Sequence, residues 1–237
     1  MTTFHQIILV CPHCGIKMSA YEMMSFTVHS STVYSDGLNV TEPWTGNDKA
    51  IALCPSCQKV FWREDCVLEE DKIPEENLPF AGDMYDLPFA LSKTFREELI
   101  HYYVNLLKEG FANTTDRKIY LRIKIWQGIN SFVRHRKPIW KLLPQFTNLK
   151  RLKFLLVSRR KSHLVFVEFK PLFRENLEKL IAIFKPEHEG EQILLAEMYR
   201  ELGEMAKAKK ALQGVESKQS RKISKAIAGN KKRVINL

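Results

Sequence analysis

The chain has 237 residues, 45% hydrophobic and 27% charged, enough for one large domain or for one small and one medium one. That balance excludes an intrinsically disordered chain. The longest apolar stretch beyond the N-terminal region, LKFLLVSRRKSHLVFVEF, is broken by Arg159, Arg160 and Lys161, so no membrane span is expected. In MTTFHQIILV no basic segment precedes the apolar run, so no signal peptide is expected and the location reads as cytoplasmic.

The net charge of +10 is unevenly spread. Residues 1–116 hold 8 Lys and Arg against 17 Asp and Glu, whereas residues 117–170 hold 15 against 1. Residues 171–206 turn acidic again, 4 against 8, and 207–237 are basic, 10 against 1. Either the acidic and basic segments face one another within the molecule, or the basic ones meet an anionic partner.

In chain order, the first motif is CPHCG, Cys11 to Gly15, and 39 residues separate Cys14 from the first cysteine of CPSC, Cys54 to Cys57. A lone C-P-H-C is also the pattern of a redox dithiol, which requires a helix immediately after it to lower the pKa of its first thiol. The residues after Cys14, GIKMSAYEMMSFTVHSSTVYSDG, read as strand and turn, and a dithiol enzyme leaves the second pair unexplained. Two C-P-x-C turns instead point four thiolates at one cation, so Cys11, Cys14, Cys54 and Cys57 are the expected ligands of one structural Zn²⁺. Four sulfurs close the shell and leave no position for a catalytic water, so no catalytic residue is assigned. His13, inside the turn, cannot readily replace either neighbouring Cys; His5 and His29 could substitute as ligands but, with four thiols available, are expected to be surface residues, and Cys66 a half-buried small residue rather than a fifth ligand. Asp36-Gly37 signals a turn. KVFWRED reads as a strand, with Phe61 and Trp62 expected in a thin core; with Trp44, they are otherwise candidates for a binding surface.

Residues 69–88, EEDKIPEENLPFAGDMYDLP, are acidic and rich in proline and read as a connector, partly ordered by Leu78, Phe80 and Tyr85. Helical spacing begins at Ser92: Phe95, Leu99, Tyr102 and Leu106 form a stripe that Gly110 ends. Leu121, Ile125, Ile129 and Phe132 form a second stripe with Arg122, Lys124, Arg134 and Arg136 largely off it, and the two segments suggest an antiparallel helix pair. Residues 137–170 allow two readings: helix from the spacing of Leu149, Leu152, Leu155 and Leu156, or β-hairpin from Val165, Phe166, Val167 and Phe169. Helix to about Val157, then loop or short strand, is the expectation, and this basic stretch is the candidate anion-facing surface. A helix over PLFRENLEKLIAIFK, with Leu172, Leu177, Leu180, Ile181 and Phe184 on one face, precedes the loop PEHEGE. LLAEMYRELGEMAKAKKAL then places Leu195, Ala196, Tyr199, Leu202-Gly203, Ala208 and Leu212 in the pattern of one tetratricopeptide-like hairpin, about 191–214. A last helix is expected near Arg221–Ala228, followed by a basic end.

The order CPHCG, YSDG, CPSC with FW, YLRIKIWQ, NLEKL and LLAEMYRELGEMAKAKKAL resembles a family of bacterial proteins that pairs a zinc-ribbon-like module with a tetratricopeptide-like helical region. Family members carry a second Trp and an Asn-Asp-x-x-Arg ending in the central helix, where this chain has Trp126 followed by QGINSFVRH. The resemblance implies an architecture and no activity. The expected fold class is therefore α+β: a β-rich zinc-ribbon-like domain over 1–68, a linker over 69–88, and an all-α domain over 89–237. The function expected is a non-catalytic protein-interaction or adaptor module whose partner is another protein. The alternative is nucleic-acid binding through 117–170 and the C-terminal tail.

Overall fold

A computed structural model describes residues 3–25, 27–42, 50–68, 78–83, 93–134 and 149–237. The fold is α+β: eight short strands lie in the N-terminal part and seven helices come after them among the described residues. The chain divides into two compact units, residues 1–31 with 40–87 and residues 32–39 with 88–237. The second unit therefore takes residues 32–39 out of the stretch that the sequence assigns wholly to the N-terminal domain.

In the first unit β1 (Thr3–Val10) pairs antiparallel with β2 (Lys17–Ser25), from Thr3 opposite Ser25 to Val10 opposite Lys17. The short β7 (Val67–Leu68) lies on the other edge of β1. A second sheet has β5 (Ile51–Leu53) between β6 (Val60–Trp62) and β8 (Gly82–Asp83). Alternate residues of a strand face one side. Ile7 and Leu9 of β1, Met18 and Ala20 of β2, and Ala52 of β5 meet Phe61 and Ala81 in one core. Phe61 and Trp62 are both buried, as their core reading requires; Trp44 lies outside the described residues. Part of the expected linker is built into this unit, because Pro79 accepts from the Ser19 backbone N–H and Ala81 donates to the Ser19 carbonyl. Its residues 69–77 and 84–88, Tyr85 included, lie outside the described residues. The hairpin of β3 (Ser30–Val33) and β4 (Asn39–Glu42) carries residues 32–39 at its tip.

In the second unit α1 (Lys93–Lys108) and α2 (Thr115–Asn130) are antiparallel. The Arg96 guanidinium lies 4.9 Å from the Phe132 ring centre, and a Cβ added at Gly128 would sit 3.0 Å from Ile100. Thr114 caps α2 by accepting from the Arg117 N–H, and Leu121, Ile125, Ile129 and Phe132 are all buried, as their spacing predicts. The buried face of α1 is instead Ile100, Tyr103 and Leu106, one position around from the predicted stripe at its start.

The expectation of loop or short strand after Val157 is wrong. The helix α3 runs over Leu149–Glu168, and α4 (Lys170–Ile183) begins after Phe169 with Pro171 in its first turn. Packing overrides the strand preference of Val165, Phe166, Val167 and Phe169. Val165 and Phe169 are buried, Phe169 stacks on Phe132 at 6.2 Å, and Phe166 meets Phe173 edge-on at 5.8 Å. Residues 137–148 lie outside the described residues. Three more helices complete the chain, α5 (Glu189–Leu202), α6 (Met205–Ala211) and α7 (Lys218–Ala228). Ala196 and Ala208 are fully buried, and Gly203 turns the chain at φ 89°, a conformation that glycine adopts without Cβ strain.

Arg134, read as an off-stripe surface cation, is instead buried, and it forms an ion pair with the equally buried Asp36. Its guanidinium also lies 4.9 Å from the Tyr34 ring centre, and although burial pulls its pKa down to about 9 it stays charged at neutral pH. Asn130 donates to Asp36 and Glu201 at 3.1 Å each, Trp126 donates to Glu201 at 2.8 Å, and Gln127 donates to the Asp36 carbonyl at 3.0 Å. The buried Arg200 pairs with Glu197 and donates to the carbonyls of Lys231 and Arg233. Ser35 donates its hydroxyl to Glu197 and accepts from the Ile235 N–H at 2.9 Å. The basic end is thus not a free tail: Leu237 donates to the Val33 carbonyl at 2.8 Å.

Removing one partner of a buried ion pair strands the other. Asp36→Ala should therefore lower the urea unfolding free energy by about 3–5 kcal/mol, and adding Arg134→Met should recover part of that loss. Burial and the neighbouring Glu197 raise the Glu201 pKa well above the ordinary carboxyl range. Its proton contributes stability that is present at low pH and lost as pH rises through the folded-state pKa. Glu201→Gln should therefore gain stability over wild type on the alkaline side of that pKa, and the gain should vanish on the acid side, read by urea unfolding across pH.

Candidate metal centre

The two cysteine turns are built alike. Residues 11–16 connect β1 to β2, and residues 54–59 connect β5 to β6. Cys11 continues the inward register of Ile7 and Leu9, and Cys54 that of Ala52, so the first thiol of each turn is buried in the core. The chain then closes on itself: the Gly15 N–H donates to the Cys11 carbonyl at 2.9 Å and the Gln58 N–H to the Cys54 carbonyl at 3.0 Å. The Cys11 N–H donates to the Ile16 carbonyl and the Cys54 N–H to the Lys59 carbonyl, at 2.9 and 3.0 Å. Gly15 and Gln58 both have positive φ, 72° and 56°. Gly15 carries this in its residue type, whereas Gln58 is held there by the turn and its side-chain bond to the Pro55 carbonyl, 2.8 Å.

All four sulfurs lie within 4.8 Å of one another. Cys11 Sγ is 3.8 Å from Cys57 Sγ, and Cys14 Sγ is 3.7 Å from Cys54 Sγ. A metal bonded tetrahedrally to four sulfurs at about 2.3 Å sets neighbouring sulfurs about 3.8 Å apart, so this donor set fits one ion. Both of these contacts run from the first thiol of one turn to the second of the other, which ties the two hairpins together. Backbone N–H groups also point at sulfur, His13 to Cys11 at 3.4 Å and Cys57 to Cys54 at 3.5 Å. Such donors favour the thiolate that a metal requires.

Burial pushes the Cys11 thiol up to about 12. At Cys54 burial acts the same way, but the N–H groups of Cys57 and Ser56 and the thiols of Cys57 and Cys11 outweigh it, and the value falls to about 7. Cys57 is raised, its Lys59 N–H bond outweighed by burial and the neighbouring thiols of Cys54 and Cys14. Cys66 stands outside the cluster, half-buried against the core, with its thiol pushed by burial up to about 11.

His5 and His29 are exposed. His13 does more than the sequence reveals: its Nε2–H donates to the Val60 carbonyl at 3.2 Å and so links the first turn to the strand leaving the second. No motif announces that contact, nor does Gln58 announce its left-handed backbone; its place after the second cysteine, matching Gly15, is the one signal. No protein-family model, curated protein or solved structure matches this chain.

Cys11 and Cys57 hold their protons at neutral pH without metal, and a metal binds thiolates. Loading the metal-free protein at pH 7 should release at least two protons, so apparent affinity should fall at least about 100-fold per unit drop in pH. A metal titration in weak buffer with a pH indicator reads this directly. Uptake without proton release would mean that the thiolates pre-exist.

Proposed function

We propose that the chain is a non-catalytic, zinc-stabilised protein-interaction module of the bacterial type its motifs resemble. The observation that carries this reading is the closed four-thiol shell, whose sulfur spacing suits tetrahedral coordination and leaves no position for substrate or an activated water. In this reading Zn²⁺ is structural, and the work is done by surfaces that the folded units present. The helical turn at Gly203, with Ala196 and Ala208 allowing close contact of α5 and α6, supports a tetratricopeptide-like hairpin of the kind that binds peptides. The cytoplasm, where thiols stay reduced, suits free cysteines held by metal.

The nucleic-acid reading is supported by exposed cations of both basic regions, among them Lys153, Arg160 and Lys161 on α3 and Lys231, Lys232 and Arg233 in the tail. Two other cations of the 117–170 segment are spent internally: Arg134 on Asp36, and Arg122 on Asn176 at 3.3 Å.

Purified protein should contain close to one zinc per chain by elemental analysis, and chelation should unfold the β-rich unit. Folded, metal-free protein would refute the assignment. Affinity capture from the native host should recover a protein partner that persists after nuclease treatment; recovery of nucleic acid alone would favour the second reading.

A further inference from the structure

A cavity of about 510 Å³ opens in the helical unit where α3 meets α4, beside the end of α5 and the C-terminal segment. Phe166, Val167, Pro171, Phe173 and Leu202 give it apolar walls. Four cations also line it, Lys170, Arg174, Lys232 and Arg233, of which Arg174 is paired with the exposed Glu178 at 2.8 Å one turn along α4. Glu201 supplies the acidic residue in that lining, but its side chain is wholly buried and its carboxyl group is taken by Trp126 and Asn130. The cavity therefore presents positive charge around an apolar floor.

Two features show that the wall is built and that it continues outward. The segment carrying Lys232 and Arg233 is fixed by Arg200, which donates to the carbonyls of Lys231 and Arg233, and by the pairing of Ser35 with Ile235. Val167 is 49% exposed and belongs to the cavity, and Leu164, one turn earlier on α3, is 59% exposed. Arg160 and Lys161 stand exposed one further turn back. Residues spaced three and four apart share a helix face, so the apolar floor runs out of the cavity along a stripe edged by cations. A small molecule would fill the cavity and leave this stripe bare, whereas an extended chain covers both.

We propose that this surface binds an acidic peptide segment of a partner protein, with one large apolar side chain inserted into the cavity and flanking carboxylates facing Lys170, Arg174, Lys232 and Arg233. A cavity of this size takes a side chain with room to spare, and the anchor supplies affinity while the charges set the sign of the partner. The proposal rests on the interaction-module reading and names its surface.

The test uses the full zinc-loaded chain and three fluorescent probes: a twelve-residue Asp/Glu peptide with one central Phe, the same peptide with Ala for Phe, and single-stranded oligo-dT. Fluorescence anisotropy should show saturable binding of the Phe peptide, weakened at least tenfold in the Ala peptide. Lys170→Glu with Arg174→Glu, and separately Val167→Glu, should each weaken it at least tenfold. All three residues are exposed, and the Arg174–Glu178 pair that the double variant removes is a surface pair worth about a few tenths of a kcal/mol, so the helical circular dichroism should be retained and Tm should fall by no more than about 4 °C. No saturable binding of the Phe peptide, or equal binding of the Phe and Ala peptides, would overturn the proposal. Oligo-dT binding of equal strength with the same sensitivity to the variants would also overturn it and assign the surface to nucleic acid. If the double variant still captures a nuclease-resistant partner in full, this site is not the surface used, while the interaction-module reading stands.

Discussion

A guanidinium inside a protein has to be paired, and the burial of Arg134 is the constraint around which the helical unit is arranged. Its counter-charge is Asp36, nearly 100 residues earlier in the chain, on the tip of a hairpin whose residues 30–31 and 40–42 belong to the other unit. Seating Asp36 brings Ser35 to Glu197 and its own carbonyl to Gln127, and it aligns Val33 and Ser35 with the C-terminal segment. The chain's most basic stretch is thereby partly neutralised from within, Asp36 meeting Arg134. The basic tail is held by its backbone instead: Arg200, itself compensated by Glu197, donates to the carbonyls of Lys231 and Arg233. Buried polar networks of this kind tolerate no half-satisfied member, because an unpaired charge in a low dielectric costs more than the pair contributes.

The β-rich unit is organised by a different constraint. Its core is thin, and two of the residues in it are cysteines whose sulfurs emerge toward a shared centre. Each turn repeats the same backbone closure, so two hairpins of unrelated sequence present their thiols in related positions. Four sulfurs at close range are unfavourable neighbours once deprotonated, and a divalent cation would resolve that repulsion, so metal binding there would be coupled to folding through the same groups. Cys66 shows the contrast: equally a cysteine, half-buried, it lies away from the turns and has no part in the cluster.

The cysteine centre was legible in the sequence because spacing and turn chemistry are local. Two C-P-x-C motifs specify their own backbone, and the alternation of β1 carries Cys11 inward. The stripe on α2, the glycine ending α1, the Leu202-Gly203 turn between α5 and α6, and the last helix were legible for the same reason. What was not legible depended on partners far along the chain. Val165 to Phe169 carry strand preference in isolation and become helix because Phe132 and Phe173 await them. Arg134 falls off the apolar stripe and so reads as solvent-facing, since periodicity knows nothing of Asp36. Asp36-Gly37 was legible as a turn, with Gly37 at φ 78°, but not as the buried plug it forms.

By itself, then, the sequence determined the α+β order, the four candidate ligands and most helix positions, because each depends on residue types a few positions apart. Tertiary structure alone decided that the hairpin tip belongs to the helical unit, that α3 continues to Glu168, and that the basic tail pairs with residues 33–35. It also decided which cations remain on the surface, around the cavity and along α3, and which are consumed inside. Charge counted along a chain cannot separate those two fates; they depend on burial, where a cation must find its partner, and on exposure, where it remains free to meet one outside the molecule.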